Sequence, residues 1–288
     1  MKQILFLSGK GGTGKTTLAA AFAALSRDQV LADCDVDAAN LHLVLDVEIE
    51  ARGDYIGSKE ALRDAARCTQ CGICVDVCRF RAISPDIQID PYLCEGCGAC
   101  VTACPEDAIA LEPRVSGQWF NARTPWGPLA SAELLPGEET TGLLVTEVKR
   151  NMVSLGEETA AQQAILDGSP GIGCPVIASV TGVDVAVLVT EPSVSGLHDL
   201  KRIHGVVKHF GIPAYLVINK ADLSPELTQR VEAYASDAEL PILGTIPFDR
   251  TVSDTLASGR SVVESGDSTA GNAIRKIYQR FMEDSNAH

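Results

Sequence analysis

Two groups of residues in this chain have the types and spacing that specific chemistry requires. A glycine-rich stretch reads SGKGGTGKTT from Ser8 to Thr17. Eight cysteines form two C-x2-C-x2-C-x3-C runs, which begin at Cys68 and Cys94. The first pattern predicts a loop that binds a nucleoside triphosphate, and the second predicts two metal clusters. Their presence in one chain predicts a protein in which nucleotide turnover and metal clusters influence each other.

The glycine-rich stretch fits the pattern G-x4-G-K-[ST] and lies between an apolar strand pattern at residues 2–8 and an alanine-rich helix pattern at residues 16–26. Glycines let backbone N–H groups turn toward phosphate oxygens, and the helix N-terminus adds favourable partial charge. We expect Lys15 to reach the β- and γ-phosphates and the Thr16 hydroxyl to bind Mg²⁺. The residues predicted to bind the nucleotide here are Gly9, Gly11, Gly12, Thr13, Gly14, Lys15, Thr16 and Thr17.

The loop resembles the deviant Walker A motif of the MinD, ParA, Mrp and nitrogenase iron protein class, because Lys10 adds a second lysine to KGGTGKT. The resemblance implies an ATP-dependent homodimer in which Lys10 crosses to the partner's nucleotide. It further implies catalytic roles for Lys10, Lys15 and Asp35. Asp35 belongs to the D-x-D segment that follows the strand pattern at residues 30–33, and it would orient the attacking water. Asp167 resembles the Walker B aspartate and would hold Mg²⁺ through water.

Two later residues resemble the part of this class that binds the base. Asn219 follows a strand pattern and resembles the asparagine that reads adenine. Asp222 completes an N-K-x-D sequence, which GTPases use to read guanine, so guanine is the alternative base. The sequence from Ile246 to Asp249 and the two-lysine loop favour adenine, and Asp249 is the last residue predicted to bind the nucleotide.

The cysteine runs form an internal repeat, CTQCGICVDVCRFRAI and CEGCGACVTACPEDAI. The repeat resembles a bacterial two-cluster ferredoxin, in which the fourth cysteine of each run serves the other cluster. The resemblance implies one [4Fe-4S] cluster on Cys68, Cys71, Cys74 and Cys104, and a second on Cys94, Cys97, Cys100 and Cys78. Arg79 stands where the pattern has a proline, and its charge would raise that cluster's potential. Two zinc sites are the alternative chemistry, because C-x2-C pairs are ordinary zinc ligands.

Two cysteines lie outside these runs. We expect Cys34 and Cys174 to be small buried residues. Cys174 follows Asp167 by seven residues, as does a cysteine of the nitrogenase iron protein that binds a cluster between two subunits. A bridging cluster at Cys174 is therefore the alternative interpretation.

The fold class expected from these patterns is α/β, with a mainly parallel P-loop NTPase sheet covered by helices on both faces. The cysteine segment interrupts the alternation of strands and helices. We therefore predict a discontinuous ATPase domain at residues 1–50 and 114–288, and a small inserted α+β ferredoxin-like domain at residues 51–113.

Composition narrows the partners and the compartment. A net charge of −14 argues against nucleic-acid binding. No apolar stretch reaches the ~20 residues that a membrane span needs, and the amphipathic pattern at residues 273–282 is better explained as the last helix of the fold. Unpaired cysteines in C-x2-C spacing predict a reducing cytoplasm.

Three functions fit this combination of motifs. The first is an ATPase that couples nucleotide-dependent dimerisation to electron transfer through two [4Fe-4S] clusters toward a redox partner or acceptor protein. The second is an ATPase that assembles or carries metal clusters, although the C-x2-C of Mrp-type scaffolds is not found outside the insert. The third is a MinD-like positioning or regulatory ATPase with redox-sensing clusters. The cofactors expected are ATP or ADP, Mg²⁺ and the two clusters.

Overall fold

The structure is a computed structural model that describes residues 1–138, 142–266 and 268–286. Its strands are β1 (Lys2–Leu7), β2 (Gln29–Asp33), β3 (Glu48–Arg63), β4 (Ile109–Thr124), β5 (Gly127–Leu134), β6 (Gln163–Asp167), β7 (Val185–Thr190), β8 (Ala214–Asn219) and β9 (Ile242–Ile246). Its helices are α1 (Lys15–Leu25), α2 (Leu41–Val44), α3 (Ile73–Val77), α4 (Ala99–Ala103), α5 (Gly142–Glu158), α6 (Cys174–Val180), α7 (Val194–His209), α8 (Pro225–Asp237), α9 (Thr251–Ala257) and α10 (Thr269–Asn286).

The chain divides into two compact units. The larger unit contains Met1–Arg52, Trp119–Glu133 and Thr140–His288, and the cysteine unit contains Gly53–Gln118 and Leu134–Glu139. The sequence-based insert, residues 51–113, is shorter than the cysteine unit. The cysteine unit continues along β4 to Gln118 and takes up a further segment after β5.

The described strands form one sheet in the order β3-β4-β5-β2-β6-β1-β7-β8-β9. The pairs from β5 through β9 are parallel, including β2 with β6, β1 with β6 and β1 with β7. This mainly parallel arrangement confirms the predicted α/β class.

Helix α1 packs against the sheet through Phe22, whose ring meets that of Phe6 edge-on at 4.9 Å and that of Phe281 at 5.6 Å. These contacts fix the helix whose first turn carries Lys15.

Three strands were not predicted from the sequence, and their burial explains why. Strand β3 is 16 residues long, but Ala61 is its one buried residue, so no apolar alternation marks it. It lies at one end of the sheet order, where a strand needs no second buried face. Strands β4 and β5 fill much of residues 114–140, where no pattern was recognised. Strand β4 contains Pro113 and Gly117 in its interior, which weakens its sequence signal, and the buried part of β5 is only the short stretch 129–132.

The cysteine unit contains two short helices of identical construction. A glycine in the left-handed region precedes each helix, Gly72 before α3 with φ 79° and Gly98 before α4 with φ 77°. The small core of the unit joins cysteines to aliphatic side chains, namely Ala61, Cys74, Ile83, Ile87, Cys100 and Ile109. The sequence repeat is thus a repeat of backbone structure as well.

Candidate nucleotide site and cysteine cavities

The carboxyl ends of the parallel strands converge on one cavity of the larger unit, of about 700 Å³. Ligands of open α/β sheets bind at such an edge. The loop after β1 contributes Gly11, Gly12, Thr13, Gly14, Lys15, Thr16 and Thr17 to its lining. The structure also places Asp35, Asp37, Asn40, Ser169, Pro170, Gly173 and Pro175 there. The last four follow β6 and lie just after the predicted Walker B aspartate, Asp167.

The geometry of the loop depends on Gly14, which begins α1 in the left-handed region with φ 91°. A Cβ at this position would lie 2.2 Å from Nδ2 of Asn219. Asn219 therefore lies directly against the loop, and its Nδ2 donates a hydrogen bond of 2.8 Å to the carbonyl oxygen of Thr13. In this position Asn219 holds the loop, and its contact with the base stays a prediction.

Lys15 is buried among carboxylates. Its Nζ lies 2.6 Å from Oδ1 of Asp167 and 3.7 Å from Oδ2 of Asp35. The Thr16 hydroxyl donates to the other oxygen of Asp167 at 2.5 Å. The predicted lysine, threonine and Walker B aspartate therefore meet at one point. Phosphate oxygens are the groups that would draw Lys15 away from Asp167.

Burial and mutual repulsion perturb the titration of these groups. Burial, with Asp167 as the next cause, raises the pKa of Asp33 to about 7. Burial also raises the pKa of Asp35 to about 6, against the lowering effect of Lys15. For Lys15, burial disfavours the charged form, but Asp167 and Asp35 outweigh it and raise the pKa. One buried cation thus compensates several carboxylates, which is the electrostatic pattern of a functional site.

Asp33 and Asp35 have different surroundings within the D-x-D segment. Asp33 is fully buried and accepts backbone N–H bonds from Asp35, Asn40 and Leu41, so it shapes the segment. Asp35 lines the cavity, as the predicted role of orienting a water requires. Burial raises the pKa of Asp37.

Lys10 is held within its own chain in this structure. Its Nζ lies 2.7 Å from Oε1 of Glu191 and donates to the hydroxyls of Ser193 (3.2 Å) and Ser195 (3.0 Å). Glu191 also pairs with Lys220 at 3.1 Å, and both lysines lower its pKa against the opposing effect of burial. The crossing of Lys10 to a partner stays a prediction, and it requires these contacts to break. The polar residues that follow β7 were the sequence signal from which these partners of Lys10 could have been predicted.

Asp249 has a structural role in the larger unit. Its carboxylate accepts bonds from Thr251, from the hydroxyls of Ser268 and Thr269, and from the backbone N–H of Ala270. These hydrogen bonds, that of Thr251 first, lower its pKa. A nucleotide contact by Asp249, as predicted, would have to compete with them. Asp222 likewise accepts the backbone N–H of Phe248 at 2.6 Å.

The eight cysteines of the runs line two cavities of the cysteine unit. Cavity A is lined by Cys68, Cys71, Cys74 and Cys104. Cavity B is lined by Cys78, Cys94, Cys97 and Cys100. Each cavity combines three cysteines of one run with the fourth of the other, which is the grouping written above from the ferredoxin resemblance.

The surroundings of these cysteines are apolar, with backbone N–H groups aimed at sulfur. The N–H of Ala82 donates to Sγ of Cys78, and the N–H of Ala108 donates to Sγ of Cys104, each at 3.3 Å. Burial raises the pKa of the Cys74 and Cys100 thiols. Across the described ranges, no three side chains of His, Cys, Asp or Glu converge closely enough to hold one metal ion.

The two remaining cysteines differ from each other. Cys34 is buried as predicted, and burial raises its thiol pKa to about 12. Cys174 is exposed at the start of α6, so its predicted burial is wrong. The glycine-rich turn after Asp167 keeps this end of the helix at the surface.

None of the helices in the described residues has the length and apolar character needed to cross a bilayer.

Comparisons with known proteins agree with this fold and site. Residues 4–262 match the CobQ/CobB/MinD/ParA nucleotide binding domain family. The uncharacterized protein MJ0578 of Methanocaldococcus jannaschii is 33% identical over 98% of this chain and 96% of its own length. The septum site-determining protein MinD of Bacillus subtilis is 24% identical over 98% of this chain and 89% of its own.

Among solved structures, the chain is similar to MinD of Pyrococcus horikoshii in complex with Mg-ADP, with a TM-score of 0.60 at 19% identity. That alignment covers 99% of this chain and 98% of the other. An Aquifex aeolicus MinC:MinD complex gives a TM-score of 0.58 at 19% identity and covers 98% of this chain and 96% of the other. At such identities the similarity shows the fold alone. Family match, relatives and the geometry of the loop lead to one conclusion: the chain belongs to the CobQ/CobB/MinD/ParA family and is a P-loop ATPase.

Proposed function

We propose that this ATPase carries two [4Fe-4S] clusters in its cysteine unit and couples an ATP-dependent homodimer to electron transfer toward an acceptor protein. The observation that carries the proposal is the division of eight cysteines into two cavities of four. Each grouping takes its fourth member from the other run, as the ligand spacing of two-cluster ferredoxins requires.

The residues around both cavities fit such a group. A single zinc ion needs four sulfurs about 2.3 Å from one point. Across the described residues no such convergence is found, whereas four cysteine side chains line each cavity, and a [4Fe-4S] cluster would use one sulfur per iron. The N–H groups of Ala82 and Ala108 aimed at sulfur provide the hydrogen bonds that tune clusters. When bound, the clusters would supply one-electron transfer.

The nucleotide side of the proposal uses the contacts of the larger unit. Bound phosphates would compete with Asp167 for Lys15, and Mg²⁺ would be held by Thr16 and, through water, by Asp167. Lys10 would leave Glu191 for the partner's nucleotide. Both exchanges replace an internal ion pair with a ligand contact, so nucleotide binding would change the loop and the D-x-D segment together.

Chain connectivity supports coupling between the two sites. The D-x-D segment ends at Asp37, and β3 begins at Glu48 and continues from the larger unit into the cysteine unit at Gly53. The D-x-D segment is therefore connected, through the short helix α2, to a strand that belongs to both units, and a displacement of the segment could be passed along this connection.

The test is anaerobic EPR of the dithionite-reduced protein without nucleotide, with ADP, with ATP and with a non-hydrolysable analogue. Coupled electron transfer predicts iron–sulfur signals whose shape or midpoint potential depends on the nucleotide. Identical spectra and potentials in all four states would refute coupling, and a protein without such signals after anaerobic purification would refute the clusters themselves.

A second candidate is a MinD-like positioning or regulatory ATPase in which the clusters sense redox state. The comparisons favour it more directly than electron transfer, because named relatives and solved structures include MinD proteins. This function predicts that cluster oxidation changes ATP hydrolysis or partner binding, while turnover moves no electrons. ATP hydrolysis measured with oxidised and reduced protein, alongside electron delivery to a dye acceptor, separates the two functions.

A further inference from the structure

The two halves of the cysteine repeat differ in the charge of the triplet that follows the fourth cysteine. The first half continues with Arg79-Phe80-Arg81 and the second with Pro105-Glu106-Asp107. One triplet therefore carries two positive charges and the other two negative charges, and Arg81 and Asp107 occupy the same position of the repeat.

The backbone around these positions is the same in both halves. Arg81 and Asp107 both have positive φ, 55° and 46°. The N–H groups of Ala82 and Ala108 bond the preceding cysteine sulfur at the same distance of 3.3 Å. The halves therefore hold the same scaffold with different side chains, so the charge difference is not the consequence of a different fold.

Each triplet belongs to a different cavity. Phe80 lines cavity B beside Cys78, and Glu106 lines cavity A beside Cys104. The four charged side chains are exposed, and within the part of the chain that the structure describes Arg79 and Arg81 form no ion pair with a carboxylate. Their charges are therefore not cancelled by a local partner.

Two other charges next to cluster-ligand cysteines act in the opposite sense. Glu95 lines cavity B, where its counterpart in cavity A is Thr69. Arg67 precedes Cys68 of cavity A. These two residues reduce the charge difference between the cavities without reversing it. At cavity B the two charges of Arg79 and Arg81 outnumber that of Glu95. At cavity A the carboxylates of Glu106 and Asp107 outnumber Arg67.

Resting on the proposed function, we propose that Arg79 and Arg81 make the cluster of cavity B the site of higher reduction potential, and that Glu106 and Asp107 lower the potential in cavity A. Reduction adds one electron, and thus one negative charge, to a cluster. Positive side chains stabilise that charge and negative ones oppose it. For exposed charges roughly 10 Å away, with water screening, the reduction equilibrium shifts about twofold to fourfold per charge. A first electron would therefore reside mainly in cavity B, which gives the pair a direction of transfer.

The experiment is a redox titration of the intact holoprotein, with dithionite as reductant and EPR as readout, plus iron content as a check on cluster occupancy. The wild type should show two separate one-electron midpoints. The double variant Arg79→Glu/Arg81→Glu should lower only the upper midpoint, by at least a tenfold shift in the reduction equilibrium, or about 59 mV for one electron. The double variant Glu106→Lys/Asp107→Lys should raise only the lower midpoint. In each double variant the difference between the two midpoint potentials should be smaller than in the wild type.

The matched control is Arg230→Glu, a charge reversal on an exposed residue of α8 in the larger unit, which should leave both midpoints unchanged. The milder Arg79→Gln/Arg81→Gln should give a smaller shift of the same sign. Two coincident midpoints, or shifts of the same size in the control, would overturn this inference while the clusters stand. A wild type without iron–sulfur signals would overturn the proposed function instead.

Discussion

The two sites of this molecule differ in the polarity of the side chains that form them. The nucleotide site of the larger unit is charged and already compensated, since Lys15 lies between Asp167 and Asp35. The cysteine cavities are mainly apolar: in the described residues their ligand side chains meet backbone N–H groups and aliphatic neighbours such as Ile83 and Ile109, although Glu95 and Glu106 also line them. One site can therefore keep its shape through ionic contacts without a ligand, whereas the other holds its sulfurs by apolar packing and by hydrogen bonds from backbone N–H groups.

This difference separates what each ligand contributes. In the larger unit a ligand exchanges one set of ionic contacts for another and so acts as a switch. In the cysteine unit the group would be part of the fold, because its core is small and each cavity is lined by four ligand cysteines. Variants of the two sites should therefore fail in different ways.

The largest effect is expected for Lys15→Gln. The variant removes the buried cation that faces phosphate, so ATP hydrolysis should fall at least ~100-fold. Removing one member of a buried ion pair also costs about 3–5 kcal/mol of unfolding free energy, less whatever protonation of the freed carboxylates returns. Steady-state hydrolysis and thermal unfolding measure both effects.

The control for this variant is Lys276→Gln on the exposed face of α10. Its hydrolysis and stability should match the wild type. Iron content should be the same in Lys15→Gln, Lys276→Gln and wild type. Loss of iron in Lys15→Gln would contradict the separation of the two sites.

The pairing of cysteines gives the next largest effect. Cys100→Ser should remove the cluster of cavity B and lower iron from about eight to about four per chain. Adding Cys78→Ser should cause no further loss, because both side chains line cavity B. Adding Cys74→Ser instead should remove nearly all iron, because Cys74 lines cavity A.

Nucleotide binding serves as the internal reference for these variants and should persist in all three. If each run held its own cluster, the Cys78/Cys100 double variant would lose nearly all iron. That result would contradict the arrangement in which each cluster takes three cysteines from one run and the fourth from the other.

Glu191→Gln tests the contact that holds Lys10 beside the nucleotide site. The variant weakens the contact that holds Lys10 in its own chain, so ATP-dependent dimerisation should become up to about fivefold more favourable, the range for a partly exposed ion pair. Sedimentation with a non-hydrolysable ATP analogue measures it. Lys10→Ala is the paired variant and should abolish the dimer. Weaker dimerisation in Glu191→Gln would show that Glu191 acts in the dimer and not as a restraint.

The sequence was most informative where burial is complete or geometry is local. Strands β1 and β2 are apolar runs buried in the sheet, and the strand patterns at residues 2–8 and 30–33 differ from their observed bounds by one residue. The loop from Gly9 to Thr17 is a local motif, so its residues could be named without a structure. Strand β3 could not be predicted, because its side chains are mostly exposed.

Contacts between distant segments could not be read in the same way. The pairing of Lys10 with Glu191 depends on β1 and β7 being neighbours in the sheet, which no local pattern states. Asp249 was predicted to bind the nucleotide because the sequence from Ile246 to Asp249 resembles the base-binding part of the family, and this stays a prediction; in the structure its carboxylate accepts hydrogen bonds at the start of two helices. A polar residue at the end of a strand can bind a ligand or accept hydrogen bonds from the start of a helix. For Asp249, only the positions of α9 and α10 in the structure show that the second kind of contact is made.

The last effect expected is a dependence of stability on pH that belongs to the nucleotide site. In the folded, ligand-free protein the pKa of Asp33 is about 7 and that of Asp35 about 6, against an ordinary value of 3.8. The folded state therefore binds more protons than the unfolded state between about pH 4 and 7, and the unfolding free energy should fall as pH rises through that window. Each unit of pKa difference contributes about 1.4 kcal/mol.

Asp33→Asn imitates the protonated carboxyl and keeps an oxygen for the N–H groups of Asn40 and Leu41. Thermal unfolding between pH 4.5 and 8 should thus show a shallower decline in Asp33→Asn than in the wild type or in the exposed control Asp254→Asn, and equal slopes in all three would mean that Asp33 remains ionised in the folded protein.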